Sequence, residues 1–219
     1  MLQDKYNMTQ EQNVFLAKRN IVDSMWKSAN LEGIAITFPE TQAIYDGINI
    51  GKFRIDEIQT INNLKHAWEY ILFTIKDKID FNYISSINSL VGSNLIEAPG
   101  KLRIYEVAMG GTTWKPELPT LERVEEVIES RLNTQSETDR IITLMCRLMK
   151  LQVFNDGNKR TSMLVANHEL IKYGKGIISI AEENKVEFGT RLIEYYEDEN
   201  KLDDLKEFIF SKCLSGINV

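Results

Sequence analysis

Between Asp56 and Ile75 the apolar residues Ile58, Ile61, Leu64, Ala67, Trp68, Ile71, Leu72 and Ile75 recur at intervals of three and four. That spacing puts them on one face of an α-helix. The same period runs through Val14 to Leu31, Asn82 to Leu90, Leu121 to Leu132, Thr138 to Leu151, Lys159 to Tyr173, Val186 to Tyr196 and Leu202 to Leu214. The pattern therefore predicts a mainly α fold, a bundle of about eight helices. Asp80 and Thr120 are placed to cap the helices that follow them, and Gly174 and Gly176 sit where a helix would stop in a left-handed residue. One stretch breaks the helical period. From Pro99 to Pro116, Leu102, Ile104 and Tyr105 to Val107 lead into Gly110-Gly111, with Thr112, Thr113 and Trp114 beyond. This suits a short β-hairpin, which must lie against helices because an isolated two-stranded ribbon is marginal in water.

With 219 residues, 43% of them hydrophobic, the chain can fill one sizeable core, and no linker or repeat divides it. A single domain over 1–219 is expected. The net charge of −6, with no Lys/Arg cluster, argues against a nucleic-acid partner. No stretch approaches the roughly 20 apolar residues of a membrane span, and Met1-Leu2-Gln3-Asp4-Lys5 does not begin a signal peptide. A cytoplasmic protein with no membrane partner is expected. Cys146 and Cys213 each fall in an apolar helical pattern and read as buried free thiols, so no zinc site is expected.

The chemistry concentrates in the turn Phe154-Asn155-Asp156-Gly157-Asn158-Lys159-Arg160, between one predicted helix and the next. The N–H groups opening the second helix lack intrahelical partners, and the aligned peptide dipoles favour an anion there. Gly157 permits close approach of a ligand, Asp156 supplies a hard oxygen suited to magnesium, and Arg160 can clamp a phosphate oxygen. Phe154 should face inward. By composition alone the turn is equally a plain helix connection rich in αL-tolerant residues.

The order of residues narrows the choice. Phe-x-Asp-Gly-Asn-Lys-Arg resembles the central motif of the Fic/Doc (Fido) family, written His-x-Phe-x-(Asp/Glu)-(Gly/Ala)-Asn-(Gly/Lys)-Arg. Pro99-Gly100-Lys101-Leu102-Arg103, then Val107 to Gly111 and Trp114, resembles the family's flap hairpin. Ser28-Ala29-Asn30-Leu31-Glu32-Gly33 is similar to its Ser/Thr-x-x-x-Glu-Gly/Asn inhibitory motif. The resemblance implies a Fic-like helical bundle with a flap, ATP and magnesium as ligands, and transfer of AMP to a hydroxyl of a target protein. It assigns Asp156 to magnesium, Gly157, Asn158 and Lys159 to an anion hole, and Arg160 to a triphosphate oxygen. The target segment would pair with the hairpin residues Val107, Ala108, Met109, Gly110, Gly111 and Thr112 by strand addition. Ser28, Glu32 and Gly33 would close a candidate inhibitory helix of about residues 14–33, with Glu32 competing against the triphosphate. The partners expected are such a target protein and a further copy of the chain.

Two positions depart from the family pattern. Gln152 stands at the catalytic histidine position, and an amide does not accept a proton near neutral pH. Loss of a general base typically slows transfer by about 10²–10⁴-fold. Weak or altered AMP transfer is therefore expected, beside two alternatives: a nucleotide-binding pseudoenzyme, or a Doc-like phosphotransferase. The histidines His66 and His168 lie on helical stripes and read as structural. Met163 stands where many members carry a second arginine, which leaves Glu32 without its usual ion-pair partner. Leu31-Glu32-Gly33 also reads plainly as a helix end with a glycine stop. Trp26 and Trp68 fall on apolar stripes and read as core, and Trp114 as a support of the flap.

Overall fold

The computed structural model describes residues 1–130 and 136–217. The end of the helix predicted to reach Leu132 lies outside the described residues. Among the described residues ten α-helices form the frame: α1 (Gln10–Arg19), α2 (Ile21–Leu31), α3 (Phe38–Tyr45), α4 (Ile55–Phe73), α5 (Phe81–Val91), α6 (Leu121–Glu129), α7 (Glu137–Leu151), α8 (Asn158–Lys172), α9 (Lys185–Glu197) and α10 (Leu202–Phe208). A π-helical turn over 209–213 extends α10. The mainly α architecture is the one the periodicity predicts.

The differences have local causes. The single stripe from Val14 to Leu31 is two helices, because the Asn20 side chain donates to the Leu16 carbonyl at 2.8 Å and ends α1 there. Helix α3 spans only eight residues, too few for a periodic pattern to declare itself, but it carries a capping box in which the Thr37 N–H donates to Glu40 at 2.9 Å. Asp80 and Thr120 cap as expected, accepting from the N–H groups of Tyr83 and Arg123.

Helix α8 is the centre of the molecule. Its first turn holds polar residues, whereas Leu164, Val165 and Ile171 enter one apolar cluster, with α2, α4 and α5, and Met163, Ala166 and Leu170 enter another, with α7, α9 and α10. A helix apolar on opposite faces is stable only when enclosed, and this one is enclosed by helices on both sides. The loop at its N-terminus thus leads into a helix packed on both sides.

The sheet does not lie where the hairpin was expected. Two short antiparallel strands, β1 (Ile177–Ile178) and β2 (Leu214–Ser215), pair Ile178 with Leu214. Residues 102–119 carry no helix or strand, turn at Gly110-Gly111 and form no strand ladder. The predicted flap is present as a loop with another means of support. Cys146 and Cys213 are buried and unpaired. No described helix is long and apolar enough to cross a membrane.

Candidate anion-binding site

Helix α7 ends at Leu151, and Gln152 follows in the left-handed region with φ 48° and ψ 61°. Six residues on, Asn158 opens α8 and closes the turn with its side chain. Its Oδ1 accepts from the Phe154 N–H at 2.8 Å, and its Nδ2 donates to the Phe154 carbonyl at 2.7 Å. One side-chain amide thus serves both polar groups of a backbone unit buried with Phe154. Gly157 precedes the helix at φ 75°, and a Cβ there would lie 3.0 Å from Val91 Cγ1 and 3.2 Å from Asn88 Nδ2. Only glycine fits this corner. Asn88, fully buried on α5, donates to the Asp156 carbonyl and to Thr161 Oγ1, each at 3.0 Å, and accepts from the Gly100 N–H at 2.8 Å. A single asparagine therefore joins the loop to the start of the flap.

The electrostatics gather around Arg160, which is 7% exposed. Its Nε lies 3.2 Å from Glu32 Oε2, and Lys159 Nζ lies 3.2 Å from Glu32 Oε1. Arg160 also reaches Asp156 at 3.6 Å. These contacts are ionic rather than aligned: Glu32 Oε1 and Arg160 Nε are both buried without a hydrogen-bond partner. Glu32 arrives at the end of α2, and Gly33 beside it turns the chain away at φ 91°. Ser28, one turn earlier, is buried, and its carbonyl accepts from the Glu32 N–H at 3.2 Å. Lys185 on α9 donates to the Asn30 carbonyl and holds the same helix end. On the sequence alone Glu32 has no ion-pair partner once position 163 is methionine; in the fold it has two, both from the loop. Met163 instead lies in the apolar cluster against which Leu31 packs.

Gln152 is 6% exposed and its amide is fully engaged. Nε2 donates to the Met149 carbonyl at 2.6 Å and to the Tyr196 hydroxyl at 3.4 Å, and Oε1 accepts from Asn158 Nδ2 at 3.1 Å. Burial holds the Tyr196 phenol well above its ordinary pKa despite the Gln152 bond, so it stays protonated. Among the described residues neither histidine bonds to Gln152 or Asn158. His66 is exposed on α4, while His168 is fully buried with its Nε2 3.0 Å from the Thr74 carbonyl.

The flap is held by Arg103. Its Nε donates to the Gln152 carbonyl at 2.6 Å, Nη1 to the Tyr105 carbonyl at 2.9 Å, and Nη2 to the carbonyls of Pro116, at 3.3 Å, and Glu117. The Arg103 N–H donates to the Val153 carbonyl at 3.0 Å. One buried guanidinium thereby fastens both arms of the flap to the turn that precedes the loop, where a ladder was expected. Its burial pushes its pKa down from the ordinary value. Towards the tip, Thr112 Oγ1 donates to Glu197 at 2.5 Å, and Trp114 stacks on Tyr196 with centroids 4.9 Å apart. Met109 packs beside Trp114 on the same apolar cluster, while Ala108, Gly110 and Gly111 are exposed and Val107 half-buried.

Residues 152–160 and Glu32 thus converge on one site, and residues 107–112 lie along α9 beside it. Asn88, Arg103 and Tyr196 escaped the sequence reading as site residues. A lone asparagine on the apolar stripe of α5 was the available signal for Asn88, and the Pro-Gly-x-x-Arg order for Arg103; Tyr196 had none. A cavity of about 650 Å³ opens behind the second arm of the flap, lined by Trp114, Glu117, Arg147, Lys150 and Tyr195 among others. None of residues 156–160 lines it.

Residues 78–170 match the model of the Fic/DOC family. Among solved structures the chain is similar to Fic-1 (residues 134–508) from C. elegans, at 20% identity and TM-score 0.72, covering 90% of this chain and 61% of that one. It is also similar to a Fic domain containing signaling protein from Bacteroides thetaiotaomicron, at 18% identity and TM-score 0.75, covering 94% and 87%. A Fic family protein from Desulfovibrio desulfuricans gives 18% identity and TM-score 0.62, covering 91% and 67%. This chain therefore spans less than two thirds of the C. elegans structure, and at these identities the likeness is one of fold. No curated protein sequence matches the chain. Residues 78–170, which hold both the flap and the loop, match the Fic/DOC family model, and the chain around them has the Fic helical fold.

Proposed function

We propose that the chain binds ATP with magnesium on the loop 153–160, under competition from Glu32, and that AMP transfer to a hydroxyl of a target protein is weak. Fic domain proteins generally transfer AMP or other nucleotide groups to proteins. The observation that carries the proposal is the Glu32 carboxylate, 3.2 Å from both Lys159 and Arg160 at the mouth of an orphan helix N-terminus. An anion already lies where a phosphate would, in contacts too poorly aligned to be a finished structural salt bridge.

The residues present fit the nucleotide and its metal. The Asn158, Lys159 and Arg160 N–H groups open the helix, and the Arg160 guanidinium has a buried, unspent Nε to offer a phosphate oxygen. The Asp156 side chain is 70% exposed and offers a carboxylate oxygen beside that mouth. Among the described residues no cluster of three or more His, Cys, Asp or Glu could hold a metal alone. Magnesium would take one oxygen from Asp156 and the rest from phosphates and water, as it commonly does. When bound, the ion would neutralise phosphate charge. What this chain's residues contribute is anchoring and orientation, and the exposed flap is the surface for an extended target segment.

Weak transfer follows from Gln152, whose amide has no proton-accepting capacity near neutral pH and is buried in other bonds. That same commitment favours a second reading, a nucleotide-binding regulatory module without turnover. Calorimetry with magnesium-ATP tests the common part. Binding is expected, roughly fivefold tighter in Glu32→Gly, as expected for removal of a competing ion pair worth about 1 kcal/mol, and lost in Asp156→Ala with magnesium present. Absence of heat in both the native protein and Glu32→Gly would reject nucleotide binding. α-labelled ATP then separates the two readings: label on protein supports transfer, and binding without label supports the module.

A further inference from the structure

The orientation of two buried amides is set by the backbone around them. Asn158 must turn Oδ1 to the Phe154 N–H, 2.8 Å away, and Nδ2 to the Phe154 carbonyl, 2.7 Å away. Gln152 must turn Nε2 to the Met149 carbonyl, 2.6 Å away, which directs Oε1 at Asn158 Nδ2, 3.1 Å away. Donor meets acceptor at every contact, with no flip available to either amide. The network continues to the Tyr196 hydroxyl, which donates to the Met149 carbonyl at 3.3 Å, and through the stacked ring to Trp114 in the flap. Gln152 is 6% exposed and both the nitrogen and the oxygen of its amide are bonded.

We propose that Gln152 is a positioning residue: it fixes the Asn158 side chain, and so the first turn of the anion-binding helix, in place of serving as a degenerate base.

The proposal rests on the nucleotide site described above, and its test separates the two. Gln152→Gly keeps the left-handed backbone and removes the amide, so the fold is retained. In the nucleotide-free protein, exchange of the Phe154 N–H should quicken about tenfold and the Asn158 side-chain amide signal should shift, with α5 unchanged. With magnesium-ATP, Gln152→Gly and Asn158→Ala should each weaken binding about tenfold, and the double variant by no more than the larger single effect, since one acts through the other. Additive losses, or an unchanged Asn158 signal in Gln152→Gly, would overturn the proposal. If the native protein binds no nucleotide while the Phe154 and Asn158 signatures respond as stated, the functional reading falls and the positioning role stands.

Discussion

The phosphate loop and the flap lie side by side and are built in opposite ways. The loop is over-determined: Asn158 closes it from within, Asn88 ties it to α5, and Gly157 fits a corner with no room for a methyl group. The flap has no ladder and is fastened by one guanidinium, one threonine and one aromatic stack. On the proposed reading the difference has a physical sense: a site that must hold several N–H groups on an anion needs a fixed backbone, whereas a segment proposed to receive an extended partner keeps unpaired N–H and C=O groups available. Arg103 is the joint between them, bonded to the Gln152 carbonyl on one side and to both arms of the flap on the other.

The comparison can be broken most forcefully at Gly157. Gly157→Ala should lower global stability by about 3 kcal/mol, since the new methyl meets Val91 and Asn88 at a positive φ. Urea denaturation would measure it, and a loss under about 0.5 kcal/mol would mean the loop is looser than its bonds suggest. Next in size is Arg103→Met, expected to remove about 2 kcal/mol globally, because the carbonyls of Tyr105 and Glu117 can turn to water while those of Gln152 and Pro116 stay inside. Hydrogen exchange should show the flap at 104–117 opening at least tenfold faster, with α8 protected as before. Equal loosening of α8 would show that loop and flap are one unit.

The smallest effect is a pH dependence at the far end of α7, the helix that leads into the loop. Burial raises the Asp4 carboxyl, but the Lys175 ammonium and bonds from Thr138 and Ser136 outweigh it, leaving its pKa below the ordinary 3.8. The unfolded chain then binds the proton more readily, so this contribution is complete above the ordinary value and fades as pH falls through the folded one. Asp4→Asn should flatten the acid limb of a melting-temperature profile without changing flap exchange. An unaltered acid limb would remove Asp4 from the account.

Much of the fold was legible because its signals are local. The three- and four-residue spacing located most helices, Asp80 and Thr120 capped where expected, and Phe154 turned inward. The misses share a cause. Asn20 divides a continuous apolar stripe by a side-chain bond to Leu16, which no periodicity records. The flap's β-prone residues fit a hairpin, yet Arg103 took the carbonyls that a ladder would have used. Tertiary bonding overrode a propensity that is weak in a two-stranded ribbon.

What the sequence by itself determined is the helical class, the position of the loop, and the residue types that suit phosphate and magnesium: Asp156, Gly157, Asn158, Lys159 and Arg160 in order before a helix. These follow from backbone geometry within one turn of the chain. Only the tertiary structure decided what Glu32 and Gln152 do. Glu32 meets its partners from a helix more than a hundred residues away in sequence, and Gln152 is engaged by Asn158, by Tyr196 44 residues on, and through its carbonyl by Arg103 49 residues before. A hydrogen bond requires a donor and an acceptor within about 3 Å. Residues so far apart in the chain are brought to that distance only by the packing of the whole bundle.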